Sequence, residues 1–147
     1  MIAPLRNTEL LRKALTDVQI TELDWFQTFE VPGLKISCLP SRHYSARTPL
    51  DKQKALWCGY SINDIYITGD TSFSADLFTK IATFLKEPPK YCFMEMGQYN
   101  ESWHGSHMFP NETLEAFKIV KGRHLFPIHF GKISMSTQDW NETPKFC

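Results

Sequence analysis

The chain has 147 residues, a length typical of one domain, and its 16 basic and 16 acidic residues give a formal net charge of zero. This balance argues against a partner held by charge alone, such as nucleic acid or an anionic membrane surface. The 42% hydrophobic residues, with 11 Phe, 5 Tyr and 4 Trp, exclude a disordered chain. We therefore expect residues 1–147 to form a single domain.

The first part of the chain predicts a short helix followed by strands in hairpins. Thr8 is placed to cap the helix, because an apolar stripe follows it. Strands are predicted over residues 18–23 and 25–31, which are rich in β-branched and aromatic residues. A Pro-Gly turn then leads into residues 34–39, whose strict alternation of apolar and polar side chains is typical of a strand with one buried face.

The second part alternates strands with helices. An Asn-Asp turn joins two predicted strands, and Ser74 and Pro110 each mark the start of a helix. The predicted strands are residues 55–62, 65–68, 91–96 and 125–128, and the third is so apolar that we expect both of its faces to be covered. Hairpins followed by this alternation indicate a mixed α/β fold in which helices cover one face of a mixed sheet.

Cysteine usage and hydropathy favour an intracellular chain. None of Cys38, Cys58, Cys92 and Cys147 forms a C-x-x-C pair, so small buried thiols are favoured over disulfides or a thiolate metal site. Residues 1–15 lack the apolar core of a signal peptide, and no apolar run approaches the roughly 20 residues needed to span a bilayer. We expect a cytoplasmic location.

Three candidate metal ligands each follow the end of a predicted strand. His43 follows residues 34–39, Asp70 follows the second hairpin, and His129 follows residues 125–128. Neutral imidazole binds zinc, and a carboxylate can bridge two such ions, as a metal-assisted hydrolase requires. Each residue has an ordinary alternative: a surface histidine, a turn aspartate and a core histidine. Their shared position at strand exits favours the metal site.

An ordered series of short motifs resembles the metallo-β-lactamase superfamily. The motifs are Leu-Pro-Ser-Arg-His-Tyr-Ser-Ala-Arg at 39–47, Leu-Trp-Cys-Gly at 56–59, Gly-Asp-Thr at 69–71, His-Met-Phe-Pro-Asn-Glu at 107–112 and Ile-His-Phe-Gly at 128–131. The resemblance is strongest to the branch that contains N-acylphosphatidylethanolamine-hydrolysing phospholipase D. It implies an αβ/βα four-layer sandwich, of which this chain would form the C-terminal half, with a two-zinc site along one edge.

The resemblance also implies a role for each candidate residue. His43 would bind the first zinc ion, Asp70 would bridge both ions, and His129 would bind the second. His107 would contact the substrate phosphate or assist proton transfer, so that Asp70 and His107 carry the chemistry. The alternative for His107 is a residue that merely flanks a helix, and His104 is expected to be an ordinary loop residue.

The superfamily motif His-x-His-x-Asp-His, which supplies four further ligands, does not occur in this sequence. We therefore expect the chain to be catalytically incomplete, to expose an apolar inner sheet face, and to self-associate or pair with a complementary N-terminal half. The implied function is zinc-dependent hydrolysis of a small or phospholipid-like phosphodiester, or of a lactone, with peripheral membrane contact left open. The alternative is a non-catalytic remnant that binds a partner or a small ligand.

Overall fold

The computed structural model describes residues 1–46, 48, 50–132, 136, 139 and 142–146. Arg47, at the end of the first motif, and Cys147 therefore lie outside the described residues. In chain order the elements are β1 (Ile2–Pro4), α1 (Thr8–Leu11), β2 (Thr21–Leu23), β3 (Thr28–Val31), β4 (Leu34–Leu39), β5 (Gly59–Ile62), β6 (Ile65–Ile67), α2 (Ala75–Leu85), β7 (Tyr91–Glu95), α3 (Pro110–Ile119) and β8 (His124–Ile128). Short 3-10 helices occupy Glu101–Trp103 and Thr143–Phe146.

Strands β3 to β8 form one six-stranded sheet in which they lie side by side in chain order. The pairs from β3 to β6 are antiparallel, with β4 and β5 connected by the segment of residues 40–58, whereas β6–β7 and β7–β8 are parallel. Parallel neighbours need a crossover connection, and here α2 and α3 supply it. β1 and β2 form a separate two-stranded parallel sheet. The predicted mixed α/β fold is confirmed.

Most element boundaries agree with the sequence predictions, and the main differences lie in the first third of the chain. β3 begins later than predicted because residues 24–27 form a turn, whereas β2 begins only at Thr21, the residue that pairs with Ile2 of β1. In that turn, the backbone N–H of Asp24 donates to Gln27 Oε1 at 2.9 Å, and Phe26 adopts a left-handed φ of 65°. Thr8 is the first residue of α1 rather than its cap, because Asn7 occupies the cap position. β5 begins at Gly59, after residues 55–58 have passed the β1 edge, where the Leu56 N–H donates to the Leu5 carbonyl.

Both long helices pack on the same face of the sheet, as predicted. This face contributes Leu39, Tyr66, Cys92 and Met94, each 0–1% exposed. Ser74 caps α2 by accepting the Leu77 N–H, and α3 begins at Pro110, whose missing N–H costs nothing at a helix start. The side chains that these helices contribute to the core are Phe78, Ile81, Ala116 and Val120.

The opposite sheet face is apolar and only partly covered. The strand register places Ile62, Ile65 and Tyr91 in one cross-strand row, and Ile67, Phe93 and Phe126 in another. None of these six side chains is buried, and Phe126 is 43% exposed. The prediction that both faces of β7 are covered is therefore wrong, since burial within Tyr91–Glu95 follows the helix-covered face. We refer to these two rows as the open face.

The cysteines that the structure describes agree with the sequence-based expectation of small buried thiols. Cys38 and Cys92 are buried, Cys58 is partly buried, and all three thiols are free. Among the described residues, no helix is both long and apolar enough to cross a membrane.

Candidate metal centre

Four strands deliver histidines and carboxylates to one edge of the sheet. β6, β7 and β8 run parallel to one another, and β4 shares their direction because two antiparallel pairings separate it from β6. Their C-terminal ends therefore meet at the same edge, where α/β folds commonly place their sites. His43 follows β4, Asp70 follows β6, Glu95 ends β7 and His129 follows β8.

The loop that carries His43 is fastened to the segment that follows Asp70. The backbone N–H of Arg42 donates to Thr71 Oγ1 at 2.8 Å, and the Arg42 carbonyl accepts the Ser72 N–H at 2.9 Å. Nδ1 of His43 lies 2.9 Å from the carbonyl oxygen of Tyr44, and the two rings stack with centroids 4.8 Å apart. These contacts fix the position of His43 relative to Asp70.

His107 forms a close pair with Glu95, a carboxylate that is fully buried. Its Nδ1 atom lies 2.7 Å from Glu95 Oε2, and the backbone N–H of Met108 donates to Glu95 Oε1 at 2.5 Å. The Thr113 hydroxyl donates to the Glu95 carbonyl, and the Glu95 N–H donates to Thr68 Oγ1. Every polar group of Glu95 thus has a partner, which explains how a carboxylate is accommodated at this depth.

Burial and mutual interaction shift the pKa values of this pair. Burial, which disfavours the charged carboxylate, raises the pKa of Glu95 to about 7 even though the hydrogen bond from His107 opposes the shift. For His107, burial by itself would lower the pKa, but the hydrogen bond and the charge of Glu95, helped by Asp70, raise it. The pair therefore retains a proton close to neutral pH.

His129 is held in an uncommon backbone conformation. Its φ is 71°, in the left-handed region that residues other than glycine rarely adopt. Gly97 makes this possible, because a Cβ atom at position 97 would collide with the His129 carbonyl oxygen. Such strain costs on the order of 1–3 kcal/mol and persists only where the surrounding structure enforces it. It places His129 Nε2 3.8 Å from Asp70 Oδ1.

The ring of His107 contacts the rings of both His43 and His129. Its ring is nearly parallel to that of His129, with an interplanar angle of 17°, and nearly perpendicular to that of His43, at 75°. Among the described residues, two overlapping groups have donor atoms within 4.8 Å of one another: His43, Asp70 and His107, and Glu95, His107 and His129. Tetrahedral zinc ligands stand about 3.4 Å apart, so these imidazole and carboxylate donors fit a zinc ion after small side-chain rotations.

The structure thus brings together all four residues singled out from the sequence. The individual roles of His43, Asp70, His107 and His129 stay predictions. His104 lies outside the cluster, where its Nε2 pairs with Glu112 Oε1 at 2.7 Å near the start of α3. Sequence reasoning missed Glu95, although a lone acidic residue within an apolar strand was a usable signal, because a buried carboxylate needs a partner.

A cluster of histidines and carboxylates at the edge of a mixed sheet, in this order along the chain, defines a protein of the metallo-β-lactamase type. The chain belongs to the family described as the beta-lactamase superfamily domain, which matches residues 2–130. The resemblance stated from the sequence motifs is therefore confirmed.

Two relatives and one solved structure are similar to this chain. It is 30% identical over 128 residues to the mitochondrial N-acyl-phosphatidylethanolamine-hydrolyzing phospholipase D of Saccharomyces cerevisiae, in a match that covers 80% of this chain and 27% of the yeast protein. It is 30% identical over 136 residues to N-acyl-phosphatidylethanolamine-hydrolyzing phospholipase D 1 of Caenorhabditis elegans, covering 86% and 38%. The chain thus spans well under half the length of these relatives. The metallo-beta-lactamase fold protein YhfI of Bacillus subtilis shares the fold, with a TM-score of 0.66, 14% identity and coverage of 99% and 56%.

Proposed function

We propose that this chain contributes to a zinc-dependent phosphodiesterase that hydrolyses a phospholipid-like phosphodiester. The convergence of His43, Asp70, His107 and His129 at one sheet edge carries the proposal, since it assembles the ligand types that zinc prefers. The two relatives whose names specify N-acyl-phosphatidylethanolamine hydrolysis support the substrate class. The four ligands of the His-x-His-x-Asp-His motif would have to come from outside the present sequence.

In this proposal His43 and His129 would each hold one ion, and Asp70 would be a ligand shared by both. Zinc, when bound, supplies Lewis acidity toward water and toward a phosphoryl oxygen. The negative charge of the Asp70 carboxylate would reduce the mutual repulsion of two bound dications. Tyr44 orients the His43 ring through its carbonyl oxygen, and Gly97 leaves room for the backbone turn at His129.

His107 is assigned to the substrate in the completed site. Its Nδ1 faces Glu95, so the Nε2 edge is the one available to a phosphate group. Because the Glu95 contact favours the protonated ring, His107 can donate a hydrogen bond or a proton from Nε2 to a phosphate oxygen. Glu95 holds the ring in this orientation and replaces the water that the buried imidazolium would otherwise need.

A chimeric enzyme tests the proposal. The aligned segment of the yeast relative is replaced by this chain, and hydrolysis of N-acylphosphatidylethanolamine in mixed micelles is measured. We expect the chimera to release phosphatidic acid, Asp70→Asn to abolish this activity, and His124→Ala, an exposed histidine outside the cluster, to leave it unchanged. A chimera that folds and binds zinc but does not turn over the lipid would contradict the proposal.

A second candidate is a non-catalytic module that binds a partner, and the open face favours it. Two rows of apolar side chains, Ile62, Ile65 and Tyr91 and then Ile67, Phe93 and Phe126, resemble one half of a sheet-on-sheet interface. We propose that a second αβ half of the family's four-layer fold covers this face. Sedimentation of the isolated chain tests this, because an uncovered face of this kind should drive self-association, and a stable monomer at high concentration would argue against it.

A further inference from the structure

The imidazoles of His43 and His107 both have their Nδ1 atoms engaged by oxygen. The carbonyl oxygen of Tyr44 can only accept, so Nδ1 of His43 carries the hydrogen at their 2.9 Å contact. Glu95 accepts from Nδ1 of His107 at 2.7 Å, while its other oxygen accepts the Met108 N–H. In the neutral, metal-binding form of both rings the lone pair is therefore left on Nε2. In most metal-binding histidines, the ring is oriented by a hydrogen-bond acceptor on the nitrogen that does not bind the metal.

The ring geometry distinguishes between the two possible donor groups. An imidazole nitrogen binds a metal ion in the plane of its ring. The ring planes of His43 and His107 cross at 75°, so their lone pairs can converge on one point. The planes of His107 and His129 differ by only 17°, so their lone pairs do not converge in this way. Glu95, in the group with His129, already uses both of its carboxylate oxygens as acceptors.

Asp70 completes a three-ligand set with the two converging imidazoles. One donor atom from each of His43, Asp70 and His107 lies within 4.8 Å of the others. The Asp70 side chain is 47% exposed, so it can rotate toward the imidazoles at little cost. Two histidines and one carboxylate, with a further position open to water, are a common protein ligand set for zinc.

We propose that this chain by itself binds one zinc ion through His43 Nε2, the Asp70 carboxylate and His107 Nε2, with Glu95 as the residue that orients His107. This inference rests on the metal centre of the proposed function but not on hydrolysis. It assigns the third ligand to His107, whereas the family resemblance gives that place to His129. The single-ion site is assigned to the chain when the four ligands of the His-x-His-x-Asp-His motif are absent.

Zinc titration of the metal-free chain by isothermal calorimetry tests the proposal. We expect one ion per chain, at least a hundredfold weaker binding for His43→Ala, Asp70→Asn and His107→Ala, and less than a threefold change for His129→Ala. Glu95→Gln should weaken binding about 10- to 100-fold, as the loss of an orienting partner typically does. His124→Ala is the matched control, because it removes an exposed histidine outside the cluster.

Circular dichroism and thermal unfolding show which variants fold. If His107→Ala does not fold, His107→Gln replaces it, because glutamine keeps a polar side chain of similar length. Absorption spectra of the Co²⁺-loaded chain provide a second readout, since loss of an imidazole ligand changes the visible bands. Zinc binding that survives loss of His107 but not of His129 would overturn the assignment, as would two ions per chain or no binding. Failure of the chimera to hydrolyse lipid would leave these results unaffected, so the two proposals fail separately.

Discussion

The Nδ1 atom of His107 lies 2.7 Å from Oε2 of Glu95, and the Glu95 side chain has no exposed surface. A second pair, His104 and Glu112, has the same 2.7 Å separation, but there the histidine side chain is 46% exposed. The two pairs thus share their chemistry and differ in burial. Comparing them measures what burial adds to a histidine–carboxylate contact.

We expect His107→Ala to lower the free energy of unfolding by about 2–4 kcal/mol at pH 7, because it leaves a buried carboxylate without its partner. His104→Ala is the control and should cost less than about 1 kcal/mol, since water replaces the lost contact. Urea denaturation of the metal-free proteins measures both values. Equal losses in the two variants would show that the burial of Glu95 adds nothing to the contact.

Gly97→Ala should distort the turn at His129. The new Cβ would collide with the His129 carbonyl oxygen, and relief requires movement of backbone rather than of a flexible side chain. We expect a loss of about 1–3 kcal/mol in the free energy of unfolding, as for other overpacked positions. Gly105→Ala is the matched control, because a Cβ added at Gly105 would meet no atom within 4 Å, and it should be nearly neutral in the same denaturation experiment.

Glu22 should make stability depend on pH in the acidic range. Burial opposes its ionisation, but hydrogen bonds from Thr8, including a backbone N–H at 2.6 Å, and from the Arg6 and Asn7 N–H groups lower its pKa overall. A carboxyl whose pKa is lower in the folded state stabilises the fold above its unfolded pKa, and this stabilisation is lost as pH falls through the folded pKa. Part of the acid destabilisation below about pH 4.5 should therefore disappear in Glu22→Gln. Thermal unfolding between pH 7 and pH 3 measures this loss of stability in the unmodified chain and in Glu22→Gln. Identical profiles for these two proteins would contradict the prediction.

Phe126→Glu should weaken association through the open face. Phe126 is 43% exposed and lies in a row with Phe93 and Ile67, so a charge there would disfavour burial against any apolar surface. We expect a lower average mass in sedimentation, with little change in unfolding free energy. Leu50→Glu is the control, because Leu50 is 83% exposed in a loop away from the sheet rows. An equal effect of both variants would point to general solubility rather than to the open face.

Much of this architecture could be predicted because it depends on local patterns. The alternation in residues 34–39, the Ser74 cap and Pro110 at a helix start each determine an element without reference to the rest of the chain. The same holds for Asp70 and His129, whose position just after a strand is visible in the sequence. Their convergence follows once the strands are known to be parallel.

The features of the fold and the site that could not be predicted depend on contacts between distant segments. Glu95 looks like an interruption of an apolar strand, and its role becomes visible only when the loop of residues 97–109 folds back and places His107 beside it. The shortening of β3 likewise follows from side-chain hydrogen bonds in the turn at Asp24. Strand propensity in Trp25 and Phe26 could not reveal that turn, since tertiary context overrides it.

The parallel direction of β4, β6, β7 and β8 has a practical consequence. The Pro32-Gly33 turn lies at the N-terminal end of β4, across the sheet from the histidines, and Pro32 in this turn is exposed. A fluorophore or surface anchor attached there would leave the histidine edge pointing into solution. Immobilised in that orientation, the chain could be presented to metal ions, micelles or partner polypeptides without the attachment point obstructing them.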